Sequence, residues 1–189
     1  MLHETTVTTC SNVEINKLSI KDLNVYDYFP ADYEIRAYGQ TDRSLTPNDL
    51  VGKKAPGWTL NDMNEQAISL SNLKSKVLLI NFTGIGCGPC YASIPFLREL
   101  KGSFKSEDFD LISIESWVRK PHSLRIYADK NKINYSFLSS NDEILNHYQT
   151  GRAAPYFFIL DEKRIIRKVI FGYGDRTPEE IRTVINELL

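Results

Sequence analysis

Val77-Leu78-Leu79-Ile80-Asn81-Phe82-Thr83-Gly84-Ile85-Gly86-Cys87-Gly88-Pro89-Cys90 joins an apolar run to a glycine-rich turn and a pair of cysteines. From Val77 to Phe82 the run is mostly aliphatic and aromatic without alternation, the pattern of a strand covered on both faces, and it is predicted to be central. After Cys90, the apolar residues Ile94, Leu97, Leu100 and Phe104 recur at helical intervals. Pro95 interrupts them, removes one backbone hydrogen bond and predicts a bend. The cysteines therefore sit where a buried strand hands over to a helix.

That location gives the pair its chemistry. A helix starting inside the loop aims unpaired backbone N–H groups and the positive end of its dipole at the first sulfur, favouring thiolate over thiol. Cys87 is the expected nucleophile. Cys90, about one turn later, can close a disulfide ring with it if the loop bends tightly; Gly88 supplies freedom and Pro89 a fixed φ at the helix start. Cys90 is then expected to resolve the mixed disulfide formed at Cys87. Two other readings stand beside this one. A Cys-x-x-Cys can be half of a zinc site, but Cys10, His3, His122 and His147 offer no matching second pair, so no metal is assigned. Two inert buried cysteines would leave the Gly-Pro between them without a packing reason. Cys10 shows no partner and is read as a spectator.

Outward from this centre, strands and helices alternate, which favours an α/β layer fold around one sheet. Trp58 to Leu60 and Ala67 to Leu70 flank a polar turn as two short strands. Beyond the first helix come a strand over Phe109 to Glu115, a helix near Ser123 to Asn131, a strand over Tyr135 to Leu138 and a helix near Asp142 to Tyr148. Tyr156 to Leu160 and Ile165 to Phe171, separated by Asp161-Glu162-Lys163-Arg164, predict a hairpin. In the last helix Thr177 reads as N-cap, Pro178 as first residue and Glu180 as the close of a capping box. Residues 1 to 50 have only loose alternation and read as an extension of unknown role. The turn cluster Thr46-Pro47-Asn48-Asp49 precedes a compact domain from 51 to 189.

Composition excludes several classes. Of 189 residues, 42% are hydrophobic and 25% charged, and 23 basic side chains face 24 acidic ones for a formal charge of -1. No basic field gathers nucleic acid. No apolar run approaches the ~20 residues of a spanning helix. Met1-Leu2-His3-Glu4 lacks a secretory profile, which leaves a cytoplasmic chain or one presented without its leader.

The segment Asn81 to Cys90, with Pro95 five positions after the second cysteine, resembles the active-site segment of the thioredoxin superfamily. Val51-Gly52-Lys53-Lys54-Ala55-Pro56, the Trp58 to Leu70 strand pair and Asn72-Leu73-Lys74-Ser75-Lys76 look like the opening of its TlpA-like and ResA-like branch of thiol-disulfide oxidoreductases. The resemblance covers about Val51 to Leu189 and takes in the branch's usual insertion at Tyr135 to Thr150. It implies a thioredoxin-like fold, a central mixed sheet flanked by helices with extra N-terminal strands. It implies an extracytoplasmic (periplasmic or envelope-associated) enzyme reducing disulfide-bonded protein substrates with electrons from an upstream thiol donor, and no cofactor. It also implies that the Ala154-Pro155 bond is cis, that Pro155 faces the disulfide, and that the backbone of Ala154 pairs with an extended substrate chain, Gly88 and Pro89 lying beside it.

Departures from the family pattern matter as much. Asn81 stands where thioredoxins bury an acid, Ser93 where ResA-like reductases place a Glu, and Gly86 and Thr83 where aromatics are usual. The rim is therefore predicted to be more open. Glu115, at the end of a strand parallel to the central one, is the candidate proton acceptor for Cys90; the alternative is a solvated strand-end carboxylate. Trp117 is expected nearby in a packing role. A peroxiredoxin-like peroxidase would need Thr or Ser at Gly84. A non-catalytic binding module on the same fold is the remaining rival.

Overall fold

The structure, a computed structural model, describes residues 46–117 and 119–189. Cys10, His3 and all but the last five residues of the 1 to 50 extension lie outside the described residues. Within the described part, Pro47–Leu50 form a short 3-10 turn whose Leu50 is buried in the core.

Seven strands and four α-helices follow. Strands β1 (Thr59–Asn61) and β2 (Ala67–Ser69) pair antiparallel as a separate ribbon. The main sheet holds β3 (Val77–Thr83), β4 (Phe109–Glu115), β5 (Ser136–Ser139), β6 (Tyr156–Leu160) and β7 (Ile166–Phe171) in the order β5-β4-β3-β6-β7. The helices are α1 (Gly88–Gly102), α2 (Pro121–Asn131), α3 (Asp142–His147) and α4 (Thr177–Leu188). The sheet is mixed: β3, β4 and β5 are parallel, while β6 runs antiparallel to β3 and to β7. No helix among the described residues is long and apolar enough to cross a membrane.

All seven residues of β3 are buried, as its largely apolar pattern predicts, including the polar Asn81 and Thr83. Leu78, Ile80 and Phe82 enter one core with Phe158, Ile112 and Tyr148; Val77 and Leu79 enter another beneath α1 and α4, with Leu97, Leu100, Ile181 and Ile185. The first contains an aromatic triad in which Phe82, Tyr148 and Phe158 have centroids 5.1 to 5.5 Å apart, within the range of tilted and edge contacts. Tyr148 donates its hydroxyl to the Pro56 carbonyl at 3.1 Å, so its polar end is satisfied inside the core.

Several predicted boundaries shift for identifiable reasons. Helix α2 starts at Pro121, two residues early, because proline is well suited to the first turn. Helix α4 has Arg176, not Thr177, as its N-cap: the Thr177 hydroxyl turns back to accept the Gly174 N–H at 3.1 Å rather than capping forward. Helix α1 runs through Pro95, which lies on its exposed face, and ends at Gly102 before reaching Phe104.

The β6–β7 hairpin turns on Asp161. One carboxylate oxygen accepts the Ile165 N–H at 2.9 Å and the other accepts Arg167 Nε at 2.8 Å. Burial opposes its ionisation, but these donors and the Lys163 N–H outweigh it and hold the carboxyl below the ordinary aspartate range. A depressed folded-state value adds stability that is present above the unfolded pKa of about 3.9 and lost as pH falls through the lower folded value. Asp161→Asn is expected to cost roughly 1 kcal/mol at pH 7, discounted because Arg167 is half exposed. Thermal melts should show the gap between the two proteins closing toward pH 3.

Candidate active site

Sheet topology brings the chemistry to one edge. The register pairs Thr83 with Glu115 and Phe82 with Tyr156, so the end of β3, the end of β4 and the start of β6 meet where α1 begins. Cys87 is the N-cap of α1 and Pro89 its second residue. The Cys90 N–H lies 3.2 Å from Cys87 Sγ, and the Tyr91 N–H donates to the Cys87 carbonyl at 3.0 Å. The helix end thus directs an amide at the first sulfur, the arrangement that favours a thiolate once the pair is reduced.

Cys87 and Cys90 are joined in a disulfide, with Cα atoms 5.2 Å apart. The two sulfurs differ in access: Cys87 is partly exposed and flanked by the exposed Gly88 and Pro89, whereas Cys90 is 1% exposed. Only the first can meet a macromolecule. Bonded to each other, the sulfurs fit a redox pair.

The Ala154-Pro155 peptide is cis, and Pro155 is buried. The Ala154 carbonyl oxygen lies 3.8 Å from Cys87 Sγ. Among the described residues the Ala154 N–H has no backbone partner, while the Pro155 carbonyl accepts the Gly172 N–H at 2.9 Å. Beside this segment, burial pushes the Tyr156 phenol above the ordinary tyrosine range, so its ring is neutral near pH 7.

Glu115 is 0% exposed, so the solvated alternative is not what the fold makes of it. Its Oε2 accepts the Trp117 and Arg119 N–H groups at 3.0 and 2.9 Å, and its Oε1 accepts the Ile85 N–H at 3.4 Å. The side chains at Asn81 and Ser93 are neutral. Asn81, 2% exposed, donates to Ser113 Oγ at 2.9 Å, and Ser93 donates back to the Cys90 carbonyl at 2.7 Å. His122 and His147 are exposed helical residues.

At the rim Gly86 is exposed, while Trp117 covers the Gly84 backbone, with indole carbons 2.8 Å from where a Gly84 Cβ would stand. Sequence reading placed Trp117 nearby without seeing this contact. The signal lay in Gly84, which makes room for a bulky neighbour.

A partly exposed cysteine at a helix N-terminus, a buried partner one turn on and a cis-proline segment against the first sulfur define a thioredoxin-like thiol-disulfide oxidoreductase. The sequence profile of the Redoxin family matches residues 50–185, and the chain belongs to that family. It is similar to the thiol-disulfide oxidoreductase ResA of Bacillus cereus, at 24% identity over 141 residues, covering 73% of this chain and 78% of that protein. ResA of Bacillus subtilis is 27% identical over 139 residues, covering 71% and 74%. In fold it resembles a thiol:disulfide interchange protein from a Bacteroides species, with a TM-score of 0.61 at 19% identity, covering 72% of this chain and 90% of that one.

Proposed function

We propose that the protein reduces protein disulfides through the Cys87–Cys90 dithiol. What carries the reading is the unequal pair: an accessible sulfur under a helix end and a buried one bonded to it. Cys87 thiolate attacks one sulfur of the substrate disulfide, and the other leaves as a thiolate that takes up a proton. Cys90, deprotonated in turn, attacks Cys87 Sγ and expels the second substrate thiolate. Two electrons pass to the substrate, and the Cys87–Cys90 disulfide remains until an upstream thiol donor reduces it.

Pro155 and the Ala154 backbone position the incoming chain by strand addition, with Gly88 and Pro89 forming the exposed floor beside Cys87. Glu115 is the proton acceptor for Cys90 in this scheme. A carboxylate has about four lone-pair sites, so three backbone donors leave one for a proton. Reduction as the working direction, a proteinaceous client and an extracytoplasmic setting belong to the same proposal and rest on the resemblance to the ResA-like branch.

The test is the acidity of the reduced Cys87. Alkylation by iodoacetamide, followed at Cys87 by mass spectrometry across pH, should show half-ionisation below about 7.5, against about 8.5 for a free cysteine. A midpoint at the free-cysteine value would remove the basis for Cys87 as nucleophile.

A further inference from the structure

Trp117 stands two residues past the end of β4, yet it touches both segments that frame the disulfide. A Cβ built on Gly84 would lie 2.8 Å from two indole carbons, closer than side chains approach, so the ring rests directly on the Gly84 backbone. The same ring is 4.0 Å from the Cβ position of Gly86, whose φ of +96° belongs to the region that favours glycine. Across the site, Trp117 Nε1 donates to the Arg152 carbonyl at 3.0 Å, two residues before Ala154.

The indole is itself anchored. Its backbone N–H is held by Glu115 Oε2 at 3.0 Å, and the other oxygen of that carboxylate accepts the Ile85 N–H. The segment it reaches needs such a tie. Gln149 and Gly151 both have φ near +55°, and the Ala153 N–H donates only within the loop, to the Thr150 carbonyl. Arg152 also meets Asp142 at 3.4 Å, but both side chains are more than half exposed, and such a pair contributes little.

We propose that Trp117 is a positioning residue that fixes the separation between the Gly84–Cys87 turn, which carries the nucleophile, and the Arg152–Pro155 segment, which receives the substrate backbone. The inference rests on the reading of Cys87 and Ala154 given above. A polypeptide disulfide must engage both segments at once, whereas a small disulfide needs only Cys87. Misplacement by about 1 Å can lower a rate by up to about 100-fold where geometry is shared between two contacts, and leaves a reaction at one contact untouched.

The experiment compares Trp117→Phe and Trp117→Ala with the parent protein. Two oxidants are used: an extended peptide dimer joined by one disulfide, and 5,5′-dithiobis(2-nitrobenzoate). Oxidation is followed at Cys87 and Cys90 by alkylation and mass spectrometry. Trp117→Phe, which keeps a ring but loses the donor, should lower the peptide rate about fivefold, and Trp117→Ala at least about tenfold. Rates with the small oxidant and the equilibrium with glutathione should stay within about twofold. Backbone amides of 152 to 154 should exchange faster with solvent in both variants. Peptide rates that do not change, or both rates falling in parallel, would overturn the inference. Should Trp117→Ala not fold, Trp117→Phe decides alone. Cys87→Ser separates this from the underlying reading: if that variant still reduces the peptide, the assignment of Cys87 fails, whatever Trp117 does.

Discussion

Cys87→Ser is expected to abolish disulfide reduction, lowering the rate by at least about 1000-fold to the uncatalysed background, because a hydroxyl is not ionised near neutral pH and does not attack sulfur. Cys90→Ser should behave differently. The accessible sulfur at the helix end still attacks, but the buried position one turn on, 1% exposed, no longer supplies a second thiolate. The mixed disulfide with a substrate then persists and can be isolated on a non-reducing gel, which also identifies the client. Turnover should fall nearly as far as in Cys87→Ser while the first half-reaction survives. A biological role left intact in Cys87→Ser would instead favour a binding module that uses the fold as scaffold.

Glu115→Ala is expected to cost about 4 kcal/mol of stability. The parent carboxylate accepts three backbone N–H groups, from Ile85, Trp117 and Arg119, at a site with 0% exposure. Truncation leaves these donors without a partner, and each unsatisfied buried group costs roughly 1 to 3 kcal/mol, less whatever water entering the space recovers. Against a usual total of about 5 to 15 kcal/mol, that is a large fraction, and the melting temperature should fall by about 10 °C. Glu115→Gln keeps the shape and one acceptor oxygen but points an NH2 group at a donor, so about half the loss is expected in thermal or denaturant unfolding. The same variant examines the proton-acceptor role. Single-turnover oxidation of the dithiol should slow in its second step and change its pH profile. If those kinetics are unchanged across pH, Glu115 is a brace for the surrounding turns and not the base for Cys90.

Both predictions draw on residues whose roles were unequally visible in the sequence. Val77 to Phe82 announced a doubly covered strand because every position but Asn81 is apolar, without alternation, and all of β3 is buried. The Cys-Gly-Pro-Cys spacing was equally legible, since strand, turn and helix start are local and a thiol at a helix end has one main chemical use. The hairpin around Asp161 and the last helix from Pro178 followed from short-range pattern. What escaped was long-range. Glu115 could be placed at the right sheet edge from strand order alone, but its burial depends on three N–H groups contributed by turns at Ile85, Trp117 and Arg119, which no periodicity encodes. The cover that Trp117 lays on Gly84 is of the same kind, because a glycine records that space is needed and not what fills it. Thr177 was misplaced by one position because a hydroxyl that bonds backward to Gly174 and one that caps forward look identical in sequence.

The outermost strands of the sheet carry a consequence of their own. At one side, the Gly52 N–H donates to the Ile166 carbonyl, the Ile166 N–H to Lys53, and Lys54 bridges Ile165; at the other, Asp62 bridges Leu138 and the Met63 N–H reaches the Phe137 carbonyl. The stretch leading into β3 therefore occupies hydrogen-bonding positions on both flanks that would otherwise invite a second molecule to add on. At these positions the sheet margins are closed to the kind of strand addition proposed for the Ala154 backbone.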